Sequence, residues 1–144
     1  MTDEPKTPAE CVRELYELFS RGNIDATIEL VDADFRMFEP GPEAILPWAG
    51  RFEGRDGFVE FNRKLADSVS AISIADLDFA DIGNGSVLVT GVEDGTSATT
   101  GRSYRSSSLW IWEVRRRKIV SMVAYHDTYA MAAAFDELPG AARR

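Results

Sequence analysis

The chain contains one histidine, His126, and Asp127 follows it where a strand pattern, Lys118 to Asp127, gives way to a helical one, Thr128 to Phe135. Histidine changes charge near neutral pH and a nearby carboxylate shifts it further, so such a pair can move protons. Neighbours on a strand face opposite sides, so the two share a site only where the strand ends and the backbone turns. The same residues also read as a satisfied interior histidine and a helix cap. Glu39 is the third candidate, ending an alternating segment just before Pro40. It reads equally as a cap or ion-pair partner at a strand end.

Other chemistries find little support. One His and one Cys are too few for a structural zinc site, and no G-x-S-x-G segment offers a serine nucleophile. Gly83, Asn84 and Gly85 precede a strand rather than a helix, which suits a hairpin and not a phosphate loop. Neither a metal nor a cofactor is therefore expected. The formal charge of −8 argues against nucleic acid or an anionic membrane as partner, since both need a basic footprint. The one basic run, Arg115 to Lys118, lies between two strand patterns and reads as a solvated hairpin tip. Cys11 falls on an apolar helical stripe and reads as core, Arg102 and Arg105 as partners of surface acids, and Asp32 and Asp34 as solvated. The segment MTDEPKTP has no apolar stretch of the kind that directs export, which points to a cytoplasmic protein.

The elements that must position the candidates follow from periodicity. With 144 residues, 44% of them hydrophobic, the chain is sized for one domain that buries roughly two thirds of its unfolded surface. Thr7, Pro8 and Glu10 form a capping box, and Val12, Leu15, Tyr16 and Phe19 recur at helical spacing, so a first helix spans about 8–21. Asn23 can cap a short second helix carrying Ile24, Ile28 and Val31. Phe35, Met37 and Glu39 alternate with Arg36 and Phe38 as in a strand, and a loop through Trp48 and Gly50 leads to a third helix at about 56–67, with Phe58, Val59, Phe61 and Leu65 inward. Four strands follow, at 72–82, 86–93, 102–113 and 118–127, joined as an antiparallel meander. A short helix at 128–135 closes the chain and the 138–144 tail reads as frayed. Helices first and strands afterwards predict an α+β domain, a curved sheet wrapped around a long helix with a cavity between.

The run RGNIDATIELVDADFRMFEPGP (21–42), the segment WAGRFEGRDGF (48–58) and KIVSMVAYHDTY (118–129), in this order, resemble the SnoaL-like branch of the nuclear transport factor 2 and ketosteroid isomerase superfamily over about residues 8–135. The resemblance implies a cone-shaped α+β barrel, a homodimer formed through the sheet, and an apolar pocket near the end of the last strand. Carried over residue by residue, Glu39 stands where ketosteroid isomerases place their general base. Their oxyanion-hole tyrosine falls at Leu15, one short of Tyr16, and their protonated aspartate falls near Ser108, so steroid isomerisation of the usual kind is not expected. The last aspartate of limonene epoxide hydrolases falls near Ala124. Polyketide cyclases match better, because their terminal acid lines up with Asp127, which this resemblance makes the first candidate for proton transfer, with His126 and Glu39 beside it.

Strand parity groups Met122, Ala124 and His126 on one face, Phe35, Met37 and Glu39 on another, and Ser108, Trp110 and Trp112 on a third. If these faces point inward, the cavity is aromatic with few polar groups, and Tyr16, Phe19, Met37, Trp48, Ser108, Trp110, Trp112 and Met122 are its expected ligand contacts. The aromatic residues read equally as plain core or dimer interface. Leu109, Ile111, Val123 and Tyr125 give the outer face of the same strands enough apolar surface for a homodimer. Two functions are consistent with this pattern. One is a cofactor-independent cyclase, isomerase or dehydratase acting on a small hydrophobic carbonyl compound; the other is a non-catalytic ligand-binding or dimerisation module. Polar groups converging on one point of the cavity would favour the enzyme.

Overall fold

The computed structural model describes residues 6–136, so the 138–144 tail lies outside the described residues. The capping box forms as the sequence requires: the Thr7 side chain accepts from the Glu10 amide while the Glu10 side chain accepts from the Thr7 amide. It starts α1 (Pro8–Ser20), whose inner face buries Cys11, Val12, Leu15 and Tyr16. Asn23 caps α2 (Ile24–Glu29). Val31, placed on that helix by its spacing, instead opens β1 (Val31–Glu39), which is longer than its alternating half suggests.

The segment between β1 and the third helix is not all loop. Gly50–Glu53 forms β2, an edge strand pairing antiparallel with β1 so that Gly50 lies opposite Glu39. Four residues are too few to show an alternation, which hides this strand in the sequence. The third helix, α3 (Gly54–Ser68), buries Phe58, Phe61 and Leu65. Val59 is a correction: it is 42% exposed, because it sits about 100° around the helix from Phe58 and outside the stripe that the other three define.

The meander then runs through β3 (Val69–Gly83), β4 (Ser86–Ser97), β5 (Ser103–Arg115) and β6 (Lys118–Tyr125), and α4 (Thr128–Phe135) closes the chain. The six strands lie in the order β2-β1-β6-β5-β4-β3. All neighbours are antiparallel except β1 and β6, which run parallel and bring the two halves of the chain together. A register shift between Ala75 and Asp78, with Asp76 at φ 56°, bends β3, as a bulge does when it curves a sheet. Asn84 and Gly85 both take positive φ at the β3–β4 hairpin, and Arg116 and Arg117 do so at the β5–β6 tip, the geometry that matches strand twist in two-residue turns.

The concave face of this sheet closes over α1 and α3 and holds one hydrophobic cluster. Phe35 of β1 meets Phe58 of α3 edge to face at 5.5 Å. Tyr16 of α1 meets Trp110 at 5.8 Å and Trp112 at 5.9 Å, both on β5. No helix among the described residues is long and apolar enough to cross a membrane.

Candidate functional site

Alternation delivers the polar groups to the interior. Glu39 shares the inward face of β1 with Phe35 and Met37, and all three are buried. His126 follows the last residue of β6 and keeps the parity of buried Met122 and Ala124. The parallel pairing of β1 with β6 brings both strand ends together. His126 Nε2 lies 3.0 Å from Glu39 Oε1, with the two side chains 3% and 4% exposed. On the other side of the ring, Nδ1 lies 2.7 Å from Ser108 Oγ. Ser108 Oγ is 2.8 Å from Ser106 Oγ, and Ser106 in turn accepts from the Asp127 amide at 2.8 Å. A short ladder of hydroxyls thus fixes the turn that carries His126, and Trp110 packs edge-on to its ring at 5.6 Å.

Burial works against a charge on His126, but the hydrogen bond and charge of Glu39, with the charge of Glu93 behind it, outweigh that and raise its pKa above the ordinary value. A histidine that donates from Nε2 to Glu39 accepts from Ser108 at Nδ1 when neutral and donates to it when charged. Ser108 therefore orients the ring in both states.

Glu39 and His126 line a cavity of about 70 Å³ inside the sheet. Tyr16, Phe19, Met37 and Trp48 contribute to its wall, as do Trp110, Trp112 and Met122. Between α1, α3 and β3 it continues into an apolar groove of about 520 Å³ that shares Tyr16, Phe19, Asn62 and Leu65 with it. The inner chamber is small against the few hundred Å³ of ordinary ligand pockets, and the groove supplies the remaining room. Trp48 is 3% exposed and packs on Phe135 of α4 at 5.2 Å. Leu15 and Tyr16 both reach the cavity because α1 lies across it, so the one-position offset does not remove the tyrosine. Its hydroxyl accepts from Trp112 Nε1 at 3.0 Å, and burial raises its pKa well above that of an ordinary phenol.

Asp127 is placed elsewhere. Its carboxylate accepts from the Ala130 amide at 3.0 Å as the N-cap of α4, and it borders an open hollow that Ser108 and His126 also line, while the chamber lining does not include it. Ser108 touches the ligand space only through His126. Arg105 binds Asp94 at 2.8 Å as expected, whereas Arg102 donates to the Ala133 carbonyl at 3.1 Å.

Two polar residues on the cavity wall escape the sequence reading. Asn62 donates to the Phe58 carbonyl at 2.8 Å from α3. Glu93 is 6% exposed, and its Oε2 accepts from the Tyr104 hydroxyl at 2.6 Å. The signal for Glu93 is present in the sequence, because it continues the inward parity of Val87, Val89 and Gly91. Ending the strand at Glu93 makes it look like an exposed terminus, but β4 runs on to Ser97. Among the described residues no group of three or more His, Cys, Asp or Glu can hold a metal ion.

The family model of the SnoaL-like domain matches residues 12–122, most of the chain and most of this cavity wall. The chain belongs to the SnoaL-like family. Its fold is that of an NTF2-like protein from Burkholderia thailandensis E264, 26% identical, with a TM-score of 0.82 over 92% of this chain and 99% of that one. A protein from Pseudomonas putida KT2440 provisionally named a polyketide cyclase aligns with a TM-score of 0.78 at 16% identity, covering 92% of this chain and 100% of its own. One from Bacillus subtilis provisionally named an isomerase aligns with a TM-score of 0.73 at 20% identity, covering 89% and 91%. Among curated proteins none matches the chain. SnoaL-like membership accounts for the curved six-stranded sheet.

As the cap of α4, Asp127 has a measurable role. Asp127→Ala should lower stability by about 0.5–2 kcal/mol, the range for losing a capping side chain, measured as a shift in the denaturant midpoint. Unchanged stability would remove the cap assignment.

Proposed function

We propose that this SnoaL-like protein is a cofactor-independent acid/base enzyme of the cyclase, isomerase or dehydratase kind, acting on a small hydrophobic carbonyl compound. The observation that carries the reading is the Glu39–His126 contact of 3.0 Å inside an otherwise apolar, aromatic cavity. A binding module needs only shape and apolar lining, and two buried titratable groups in contact favour chemistry over storage. Glu39 is the general base: it removes a proton from the carbon next to the carbonyl. His126 holds and balances the carboxylate through Oε1, and Ser108 positions His126. Asp127, the first candidate of the resemblance, acts only through the turn it caps.

The chamber takes the carbonyl and the carbon beside it, and the apolar remainder of the ligand extends along the groove between α1 and α3. A direct test uses acetophenone in D₂O, following loss of its methyl protons by NMR. Exchange above the buffer rate supports the reading. A ketone that binds without exchange overturns it and leaves the ligand-binding module as the better account.

The second copy expected from the resemblance belongs on the outer sheet face. There Leu109, Ile111 and Val123 are half-buried, and Tyr125 is 53% exposed although it sits in the middle of a six-stranded sheet. An apolar face of this kind is stabilised when covered. Light scattering at micromolar concentration should give twice the mass of one chain, and Tyr125→Lys should shift it towards a single chain. A monomeric parent protein would exclude the dimer.

A further inference from the structure

The cavity wall holds a second carboxylate that the Glu39–His126 pair does not use. Glu93 lies on β4 opposite Ser106 of β5, the serine that braces the turn carrying His126. The site around it is built. Tyr104 donates to Oε2 at 2.6 Å, and the two side chains are 6% and 4% exposed. A Cβ at Gly95 would stand 2.5 Å from the Tyr104 ring, so the missing side chain at Gly95 is what lets the phenol reach Glu93. Oε1 has no hydrogen-bond partner among the described residues, yet no fully buried side-chain nitrogen or oxygen lacks one. Oε1 therefore keeps accessible surface, and the cavity that Glu93 lines provides it.

Charge balance then distinguishes the two acids. The lining contains two carboxylates, one histidine, and no lysine or arginine. One charged His126 can neutralise one carboxylate, and the contact of 3.0 Å assigns it to Glu39. Glu93 faces a phenol instead of a cation. Burial pushes its carboxyl upward; His126 and the Tyr104 bond act against this, and Glu39 and Asp94 add to it, leaving it raised above the ordinary glutamate value. Tyr104 is itself raised, first by burial and then by Glu93, and stays a hydroxyl donor.

We propose that Glu93 is the oxygen-binding group of this cavity: its carboxylic acid, seated on Tyr104, donates a hydrogen bond from Oε1 to the carbonyl oxygen of the ligand. This rests on the reading of Glu39 as base and completes it. When Glu39 takes the proton, the C–H electron pair becomes the carbon–carbon π bond and the carbonyl π pair moves onto oxygen. The enolate oxygen so formed is held by the Glu93 O–H. Return of a proton from Glu39 to the same carbon, or to the far carbon where a conjugated double bond extends the enolate, restores the carbonyl and the carboxylate. Stabilising charge where it develops is the largest single contribution in many such enzymes.

The test binds acetophenone to the full chain and records its carbonyl stretch by infrared spectroscopy and its Kd across pH. The stretch should fall relative to its position in an apolar solvent. Affinity should weaken as pH rises through the ionisation of Glu93, which lies above the ordinary value of 4.5, because the carboxylate can no longer donate. Glu93→Gln keeps a donor on the same atom framework, so it should retain the shift and lose the pH dependence. Glu93→Leu should lose the shift and weaken binding roughly tenfold to a hundredfold while remaining folded by its melting curve. Failure of acetophenone to bind the parent protein overturns the proposal. So does a Glu93→Leu protein with parental affinity and stretch, or a Glu93→Gln protein that stops exchange as fully as loss of Glu39. A retained stretch shift without any proton exchange overturns the enzyme reading and its assignment of Glu39, and leaves Glu93 as the oxygen-binding group of a ligand-binding cavity.

Discussion

Glu39→Gln should slow methyl-proton exchange of acetophenone by about a hundredfold to ten-thousandfold, the range for removing a positioned general base. The amide has nearly the volume of the carboxylate and its oxygen can still accept from His126 Nε2, so the cavity and the melting temperature should change little. What it cannot do is take a proton. The variant should also affect the histidine itself: Glu39 supplies the larger of the influences that raise the His126 pKa, and without its charge the opposing effect of burial lowers it. NMR titration of the single imidazole follows this directly. Unchanged exchange in a folded Glu39→Gln protein would remove Glu39 from the reaction. An unmoved His126 titration would show that the contact carries no electrostatic coupling.

Phe35→Ala should cost about 3–5 kcal/mol of stability, as deletion of a fully buried aromatic side chain does when its surroundings cannot collapse. Phe35 is 0% exposed and joins β1 to α3 through its edge-to-face contact with Phe58. The backbone beside the space is held from Arg36 onward by pairing with β2 on one side and β6 on the other. Such a loss is a large share of the 5–15 kcal/mol that hold an ordinary domain folded. The denaturant midpoint should fall with the slope unchanged, since the surface exposed on unfolding is nearly the same. A loss below 1 kcal/mol would mean that the β1–α3 joint repacks, and the rigid placement of Glu39 at the end of β1 would then need another source.

The two variants separate chemistry from architecture within one strand. Phe35, Met37 and Glu39 share a face through alternation, so the strand that positions the base is also part of the core. Loss of Phe35 should therefore lower the folded fraction before it alters turnover per folded molecule. Loss of the Glu39 charge should do the reverse.

Much of this was legible because it depends on local rules. The capping box at Thr7 starts α1, the Asn84–Gly85 pair turns β3 into β4, and alternation groups the residues that share a face of β1, β5 and β6. Parity alone put His126 with Met122 and Ala124, and Ser108 with Trp110 and Trp112. Where a local pattern is too short or is interrupted, the sequence is silent. β2 has only four residues, Val59 lies one position outside its stripe, and β4 runs four residues beyond Glu93, past the end of its apolar alternation.

The sequence by itself determined the order of the longer elements, which residues share a face on β1, β5 and β6, and the family resemblance that the SnoaL-like match upholds, because propensity, capping and period act over a few residues. It also supplied Glu39, His126 and Asp127 as candidates, with no distance between any two of them. Only the tertiary structure separated them. The parallel pairing of β1 with β6 brings Glu39 and His126 together across 87 residues of chain, while adjacent Asp127, of opposite parity, turns outward to cap α4. It also brought Glu93 and Tyr104 into contact around the empty side of Gly95. Distances of this kind are set by how strands register and how far a sheet curls, and those depend on contacts between residues far apart in the chain.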